Sequence, residues 1–328
     1  MQINWAPVCE IIRNHRRFVL TTHVRPDADA LGSEIAMLGM LEALGKEVRI
    51  VNASPVPPRL AFIDPRQRIG QLGVSVSDEE ALATDVHMIL DTSAWGQLAE
   101  VGRVFKKTAA VKVVIDHHFS SEELGAFDFK DTEAEATGTL MYQLARALGV
   151  AISPEMAAAM YCAIATDTGW FRFPSTTSQT MRTIADLIDL GAQPPVLYSQ
   201  LYEQYALSRL KLASRAMSRI RMEFDGRLAH TYVRQDDYAE TGAQPPDTED
   251  LVNECLTISG VEAAFICIEQ NNGCIKTSFR SRLHIDVSRV AEQFRGGGHK
   301  QAAGAILPGP LADAQAKVLS AIKTQLGW

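Results

Sequence analysis

The chain has 328 residues, 46% of them hydrophobic and 22% charged, with a formal net charge of −7. That excludes a disordered or fibrous protein, leaves room for two domains, and argues against a general binder of duplex DNA, which needs a strongly basic surface. The charge is uneven: residues 207–328 hold 15 Lys/Arg against 14 Asp/Glu, so the acidity lies in the preceding residues, a balance that two surfaces of unlike charge explain as well as a small anionic substrate bound between the halves does.

Along the chain, Arg17–Thr22 is expected to be a strand, and Leu31–Leu44 shows helical periodicity that closes at Gly45. Val48–Val51, His87–Leu90 and Val111–Ile115 are short apolar runs bounded by turn residues, as buried parallel strands are. Ala134–Leu148, Pro154–Ala165 and Thr177–Leu190 are expected helices, the last ending at Gly191. Residues 1–190 are therefore assigned to an α/β domain with a doubly wound, mainly parallel sheet. Gly191-Ala-Gln-Pro-Pro195 opens a linker over 191–209 that runs into a helix at Leu207–Arg221. Strands at Arg227–Val233, Val261–Glu269 and Cys274–Arg280, with helices at Asp286–Phe294 and Leu311–Leu326, make residues 210–328 a smaller α+β domain. Gln235–Asp250, rich in acids, Gly and Pro, is expected to be a solvated loop. The five cysteines lack C-x-x-C spacing and are odd in number, which points to free buried thiols in a reducing compartment. The N-terminus has no basic segment followed by an apolar core, and no apolar run reaches membrane-spanning length. The protein is read as cytoplasmic, with no membrane partner.

Isolated acids and imidazoles stand at the ends of these apolar runs. His23 and Asp27 are four apart and Asp29 is two beyond, in a loop stiffened by Pro26. Asp91 follows Met-Ile-Leu, and alone it would serve as a helix N-cap. Asp116-His117-His118 follows Val-Val-Ile, and two adjacent imidazoles after a buried strand have little structural use. Asp167 follows an expected helix and must approach from the side. In open α/β sheets ligands sit beyond the carboxyl ends of strands, where His23, Asp91 and Asp116 fall. A His/Asp-rich, thiol-free set suits hard or borderline divalent ions such as Mn²⁺ or Mg²⁺. Further on, Gly296-Gly297-Gly298-His299 alone would be a flexible turn, and Arg280 alone a solvated strand residue.

In conjunction these motifs resemble the DHH/DHHA1 phosphoesterase family over nearly the full chain. Thr22-His23-Val-Arg-Pro-Asp27-Ala-Asp29-Ala-Leu-Gly32-Ser33 matches the family's first motif, which often has Gly where Ala28 stands. Asp91-Thr-Ser matches the second, Asp116-His117-His118 the third and Thr166-Asp167-Thr-Gly169 the fourth. Gly296-Gly297-Gly298-His299 with Ala302-Ala-Gly304 matches the DHHA1 signature. Within the family, the compact two-domain length is similar to that of the nanoRNase/3′-phosphoadenosine 5′-phosphate phosphatases.

The resemblance implies a DHH domain and a DHHA1 domain with the active site in the cleft between them, and two divalent ions, Mn²⁺ first and Mg²⁺ or Co²⁺ as alternatives. One ion would be held by His23, Asp27 and Asp91, the other by Asp29, Asp91, His117 and Asp167. Two such ions activate water for in-line attack at phosphorus. Asp116 would orient His117, and His118 would donate to a phosphate oxygen or the leaving group. Arg280, Gly296, Gly297, Gly298 and His299 would hold a second phosphate, the glycines through unshielded backbone N–H groups. Many relatives carry an arginine shortly after the second motif, whereas this chain has Trp95-Gly96-Gln97, which leaves Gln97 or Arg103 as the counterpart. The implied partner is a short RNA or nucleotide, hydrolysed to mononucleotides, with 3′-phosphoadenosine 5′-phosphate as a further substrate and a homodimer compatible with the family. Linear or cyclic dinucleotide hydrolysis is the rival within the same chemistry, and a non-catalytic nucleotide-binding module the rival from another class.

Overall fold

Alternate residues of the N-terminal strands feed two different cores, so the first sheet is apolar on both faces. The structure, a computed structural model, describes residues 3–282 and 285–328, and for His299 the backbone alone. The chain divides into one unit through Gln204 and another from Tyr205.

The first unit runs α1 (Ala6–Asn14), β1 (Arg17–Thr21), α2 (Ala28–Ala43), β2 (Glu47–Asn52), β3 (Ile69–Gln71), α3 (Asp78–Leu82), β4 (Val86–Leu90), α4 (Trp95–Lys107), β5 (Val111–Asp116) and β6 (Phe127–Lys130). Four helices follow: α5 (Thr137–Leu148), α6 (Pro154–Asp167), α7 (Ser178–Asp189) and α8 (Pro194–Tyr202). The strands pair in parallel in the order β3-β2-β1-β4-β5-β6. This is the doubly wound sheet expected. Phe18 and Leu20 face the core under α1, α2, α5 and α6, whereas Val19 faces the core under α3 and α4. Connections leave β1 toward β2 on one side and reach β4 on the other, so the crevice beyond the carboxyl ends of β1 and β4 is the binding position of such sheets. The two edge strands escape the apolar-run criterion. Phe127-Asp-Phe-Lys in β6 alternates apolar and polar, and β3 is only three residues long.

Small residues let α2, α5 and α6 close on one another. A Cβ at Gly32 would lie 2.4 Å from the Ala159 carbonyl oxygen on α6, and one at Gly138 would lie 2.5 Å from the Ala163 Cβ. Gly32→Ala must therefore push α6 outward. The expected cost is about 1–3 kcal/mol, measured as a fall in the denaturation midpoint of the first unit. An unchanged midpoint would show that the helices separate freely.

The second unit contains α9 (Leu207–Ser218), β7 (Arg221–Glu223), β8 (Leu228–Val233), α10 (Gln235–Thr241), α11 (Leu251–Leu256), β9 (Ala263–Glu269) and β10 (Cys274–Ser281). It ends with α12 (Ser288–Glu292), β11 (Gly297–His299), β12 (Ala302–Pro308) and α13 (Leu311–Leu326). Its mixed sheet has the order β11-β12-β10-β9-β8-β7. α12 and α13 cover one face. On the other face α9, α10 and α11 pack over β8 and β9, while on β10 and β12 Lys276 and Ile306 are exposed and Ser278, Arg280, Ala302 and Gly304 are half-buried.

One expectation is corrected here. Gln235–Asp250 is not a solvated loop: it contains α10, whose Asp237 is 2% exposed and accepts a hydrogen bond from Arg219 Nη2 at 2.7 Å. An acid that looks solvated in sequence is buried because a distant guanidinium meets it. The Gly-rich run, which taken alone would be a flexible turn, leads into the edge strand β11, antiparallel to β12. Its glycines have a packing reason, since a Cβ at Gly296 would lie 2.1 Å from the Gly304 carbonyl oxygen. Gly298 also has φ +141, where side chains are strained. Among the described residues no helix is long and apolar enough to cross a membrane.

Candidate metal centre

Each expected metal ligand stands where a strand or helix of the first unit ends. His23 and Asp27 lie in the β1–α2 loop, with Asp27 capping α2 by accepting from the backbone N–H groups of Asp29 and Ala30. Asp29 sits in the first turn of α2 and is 1% exposed. Asp91 directly follows β4 in the left-handed region, at φ +64, a conformation that Asp tolerates better than most residues. His117 directly follows β5, and Asp167 is the last residue of α6.

These side chains converge. His23 Nε2 is 3.4 Å from Asp91 Oδ2 and 3.9 Å from Asp27 Oδ2. His117 Nε2 is 3.5 Å from Asp167, 3.6 Å from Asp91 and 3.7 Å from Asp29. Ligand atoms of His23, Asp27 and Asp91 lie within 4.8 Å of one another, as do those of Asp29, His117 and Asp167. The first triad has the members of one expected set and the second those of the other without Asp91; Asp91 also groups with His117 and His118 within the same distance.

Electrostatics make this cluster suited to a cation. His23 Nδ1 is 3.0 Å from the Val24 carbonyl oxygen and His117 Nδ1 is 3.1 Å from that of Ala134. Each ring therefore donates through Nδ1 and turns Nε2 toward carboxylate oxygens. A divalent cation placed among these nitrogens and oxygens would meet donors from every side. The acids repel one another as well. Burial first, then the charges of Asp29, Asp27 and Asp167, raises Asp91 well above the usual carboxylate range. Burial and the nearby Asp29 and Asp27 push Asp167 up to about 8. Burial raises Asp29 too.

Asp116 behaves differently, and the expectation that it orients His117 is corrected. It accepts from the Nδ1 of His118 at 2.8 Å, from the His118 backbone N–H at 3.1 Å and from Ser93 Oγ at 2.6 Å. Lys130 Nζ stands 3.2 Å from its other oxygen. Burial alone would raise this carboxyl, but the hydrogen bonds from His118 and Ser93 outweigh it and hold Asp116 ionised far below the usual range. The same hydrogen bond raises the pKa of His118.

Several supporting residues carry no motif of their own. Thr137 and Gly138 donate backbone N–H bonds to Asp29 at 2.8 Å each, so Asp29 caps α5 from a distance, and Thr137 Oγ1 donates to Asp91 at 2.8 Å. The available signal is that α5 starts after Ala136 without a capping side chain of its own. A second network ties the strand ends together. Thr22 Oγ1 donates to the Leu90 carbonyl at 2.8 Å, and Asn52 Oδ1 accepts from the Thr22 backbone N–H at 3.1 Å. Asn52 in turn donates to buried Glu34 at 2.8 Å, whose pKa burial raises to about 8. Two residues after Asp167, Gly169, Trp170 and Phe171 are all left-handed, and Trp170 is wedged among Tyr161, Tyr198 and Tyr202. Of the two candidates for the missing arginine, Arg103 is committed to Asp78. The Gln97 carbonyl accepts from Val24 of the first motif at 2.7 Å, which puts Gln97 beside the site.

In the second unit Arg280 lies on β10 with Nη2 3.6 Å from Asp250 Oδ1, and Gly296, Gly297 and Gly298 lie at or in β11. The side chain of His299 is outside the described residues.

Comparison with known proteins gives a consistent result. Residues 17–164 match the DHH family, N-terminal domain, and residues 225–327 match the DHHA1 domain. The chain is 31% identical to the bifunctional oligoribonuclease and PAP phosphatase NrnA of Thermus thermophilus, over 94% of this chain and 89% of that protein. It is 26% identical to the protein of the same name from Bacillus subtilis, over 90% and 92% of the two chains. The fold superposes with a TM-score of 0.93 on the crystal structure of an exopolyphosphatase-related protein from Bacteroides fragilis, 25% identical, covering 98% of this chain and 95% of that one. The two domain matches, the relative above 30% identity and the converging ligand set agree: this chain belongs to the DHH family of metal-dependent phosphoesterases, among the members that carry a DHHA1 domain.

Proposed function

We propose that the protein hydrolyses short oligoribonucleotides to mononucleotides, and dephosphorylates 3′-phosphoadenosine 5′-phosphate, with two divalent ions, Mn²⁺ foremost. The observation that carries this reading is the pair of ligand triads joined at Asp91, in a chain whose relatives bear the oligoribonuclease and PAP phosphatase name. The ions would supply Lewis acidity, activating water and neutralising charge on the phosphorus oxygens. His23, Asp27 and Asp91 would hold one, and Asp29, Asp91, His117 and Asp167 the other. Mixed imidazole and carboxylate donors favour Mn²⁺ over Ca²⁺. His118, oriented by Asp116, donates a proton to the leaving oxygen or a hydrogen bond to the phosphate. The net charge of −7 argues against duplex DNA as a substrate, and the free cysteines Cys9, Cys162, Cys255 and Cys267, all buried, support a reducing, cytoplasmic setting.

In this reading Arg280, with Gly296, Gly297, Gly298 and His299, binds a substrate phosphate remote from the attacked phosphorus. Arg280→Ala is then expected to raise KM for a dinucleotide about tenfold or more, by loss of a charge-assisted bond. Hydrolysis of bis-p-nitrophenyl phosphate, which has no second phosphate, should fall far less. Equal losses on both substrates would assign Arg280 to folding instead. The overall test is one panel with Mn²⁺: a diribonucleotide, a cyclic dinucleotide, 3′-phosphoadenosine 5′-phosphate and pyrophosphate. Fastest turnover of the first, with measurable turnover of the third, is expected; preference for the cyclic dinucleotide or pyrophosphate would overturn the reading.

A further inference from the structure

We propose that Lys276 and Ile306 form a nucleotide subsite on the open sheet face of the second unit, one that grips oligoribonucleotides beyond the phosphate assigned to Arg280. The inference rests on the substrate reading above and adds chain length to it. Strand alternation supplies the first observation: Ile275, Thr277 and Phe279 are buried, while Lys276, Ser278 and Arg280 point to the opposite face. The register supplies the second. Lys276 pairs with Ile306, Ser278 with Gly304 and Arg280 with Ala302. The face therefore has a floor of small residues, with a cation at either end of β10.

Arg280 and Lys276 are four residues apart, about 13 Å along a strand. Side chains stand roughly perpendicular to a sheet, so the two cations meet different phosphates of one chain. Arg280 is partly engaged by Asp250 at 3.6 Å. Lys276 takes part in no ion pair among the described residues and is exposed. Lysines often protect sheet edges, but β10 lies inside the sheet, between β9 and β12, so that role does not account for this one. Directly beside it Ile306 is 67% exposed. A single exposed Ile is ordinary; next to the ammonium it offers apolar surface to a base while the cation takes the phosphate, the combination by which proteins hold single strands without reading sequence.

The test compares a pentaribonucleotide with a dinucleotide on the full chain with Mn²⁺. Lys276→Ala is expected to lower the ratio of kcat/KM for the pentamer to that for the dimer about tenfold, the size of one lost charge-assisted contact, and Lys276→Arg should restore it. The salt dependence of pentamer binding should weaken by about 0.7 in log–log slope, one phosphate contact of a single strand. A second arm measures pentamer binding by fluorescence anisotropy in the chelated protein. If wild type binds the pentamer through Lys276 but cleaves neither oligomer, the subsite stands and the proposed reaction falls. If the kcat/KM ratio and the salt slope are unchanged in Lys276→Ala, or wild type does not bind the pentamer, the subsite is overturned.

Discussion

Asp91→Ala is expected to abolish turnover, by on the order of a thousandfold or more, since loss of residues that only support ligands already costs 10- to 100-fold. The geometry makes this residue pivotal: one of its oxygens faces His23, and the other faces His117 and accepts from Thr137. Alanine is a poor fit at φ +64, so Asp91→Asn is the companion variant. Asn tolerates that conformation and keeps an oxygen for Thr137, but removes the charge. The sign of the stability effect follows from the raised pKa of Asp91. An acid whose pKa rises on folding costs stability above its unfolded value, because the folded state resists ionisation. Without metal, Asp91→Asn should therefore melt at the same temperature as wild type or higher, while being inactive. Thermal denaturation and a saturating-Mn²⁺ assay decide it: retention of more than about a tenth of the wild-type rate would refute the shared-ligand assignment, given the effect sizes known for weaker contributors.

Chelation should inactivate the protein reversibly, and Mn²⁺ should restore activity better than Ca²⁺. His23 and His117 each offer an imidazole nitrogen, a donor type suited to transition ions, whereas Ca²⁺ prefers six to eight oxygens. Wild type should lose thermal stability on chelation as the repulsion among Asp29, Asp91 and Asp167 returns, and Asp91→Asn should lose less. Equal rescue by Ca²⁺ would count against a site built on two imidazoles.

The parts legible in sequence are those that act by position along one segment. Asp91 and Asp116-His117 announce themselves because each follows a short buried run, and Leu311–Leu326 shows its helix through periodicity alone. What is not legible depends on contacts across the chain. Asp29 caps a helix 108 residues away, and Asn52 joins Thr22 to Glu34 across three elements. Asp116 illustrates the limit: adjacency suggested His117 as its partner, yet backbone direction after β5 turns His118 toward it. The glycine run was read for ligand approach, while close packing on β12 already demands two of its glycines.

The proposed metal ligands come from four separate stretches, from His23 to Asp167, all within the first unit. An ion bound there staples together strand and helix ends that are far apart in the chain. At a free concentration a hundred times its dissociation constant, such an ion adds about 2.7 kcal/mol to the folded state. A metal-starved cell would then hold a larger unfolded fraction of this protein, open to proteases. Its abundance, as well as its catalytic rate, would track the supply of the ion.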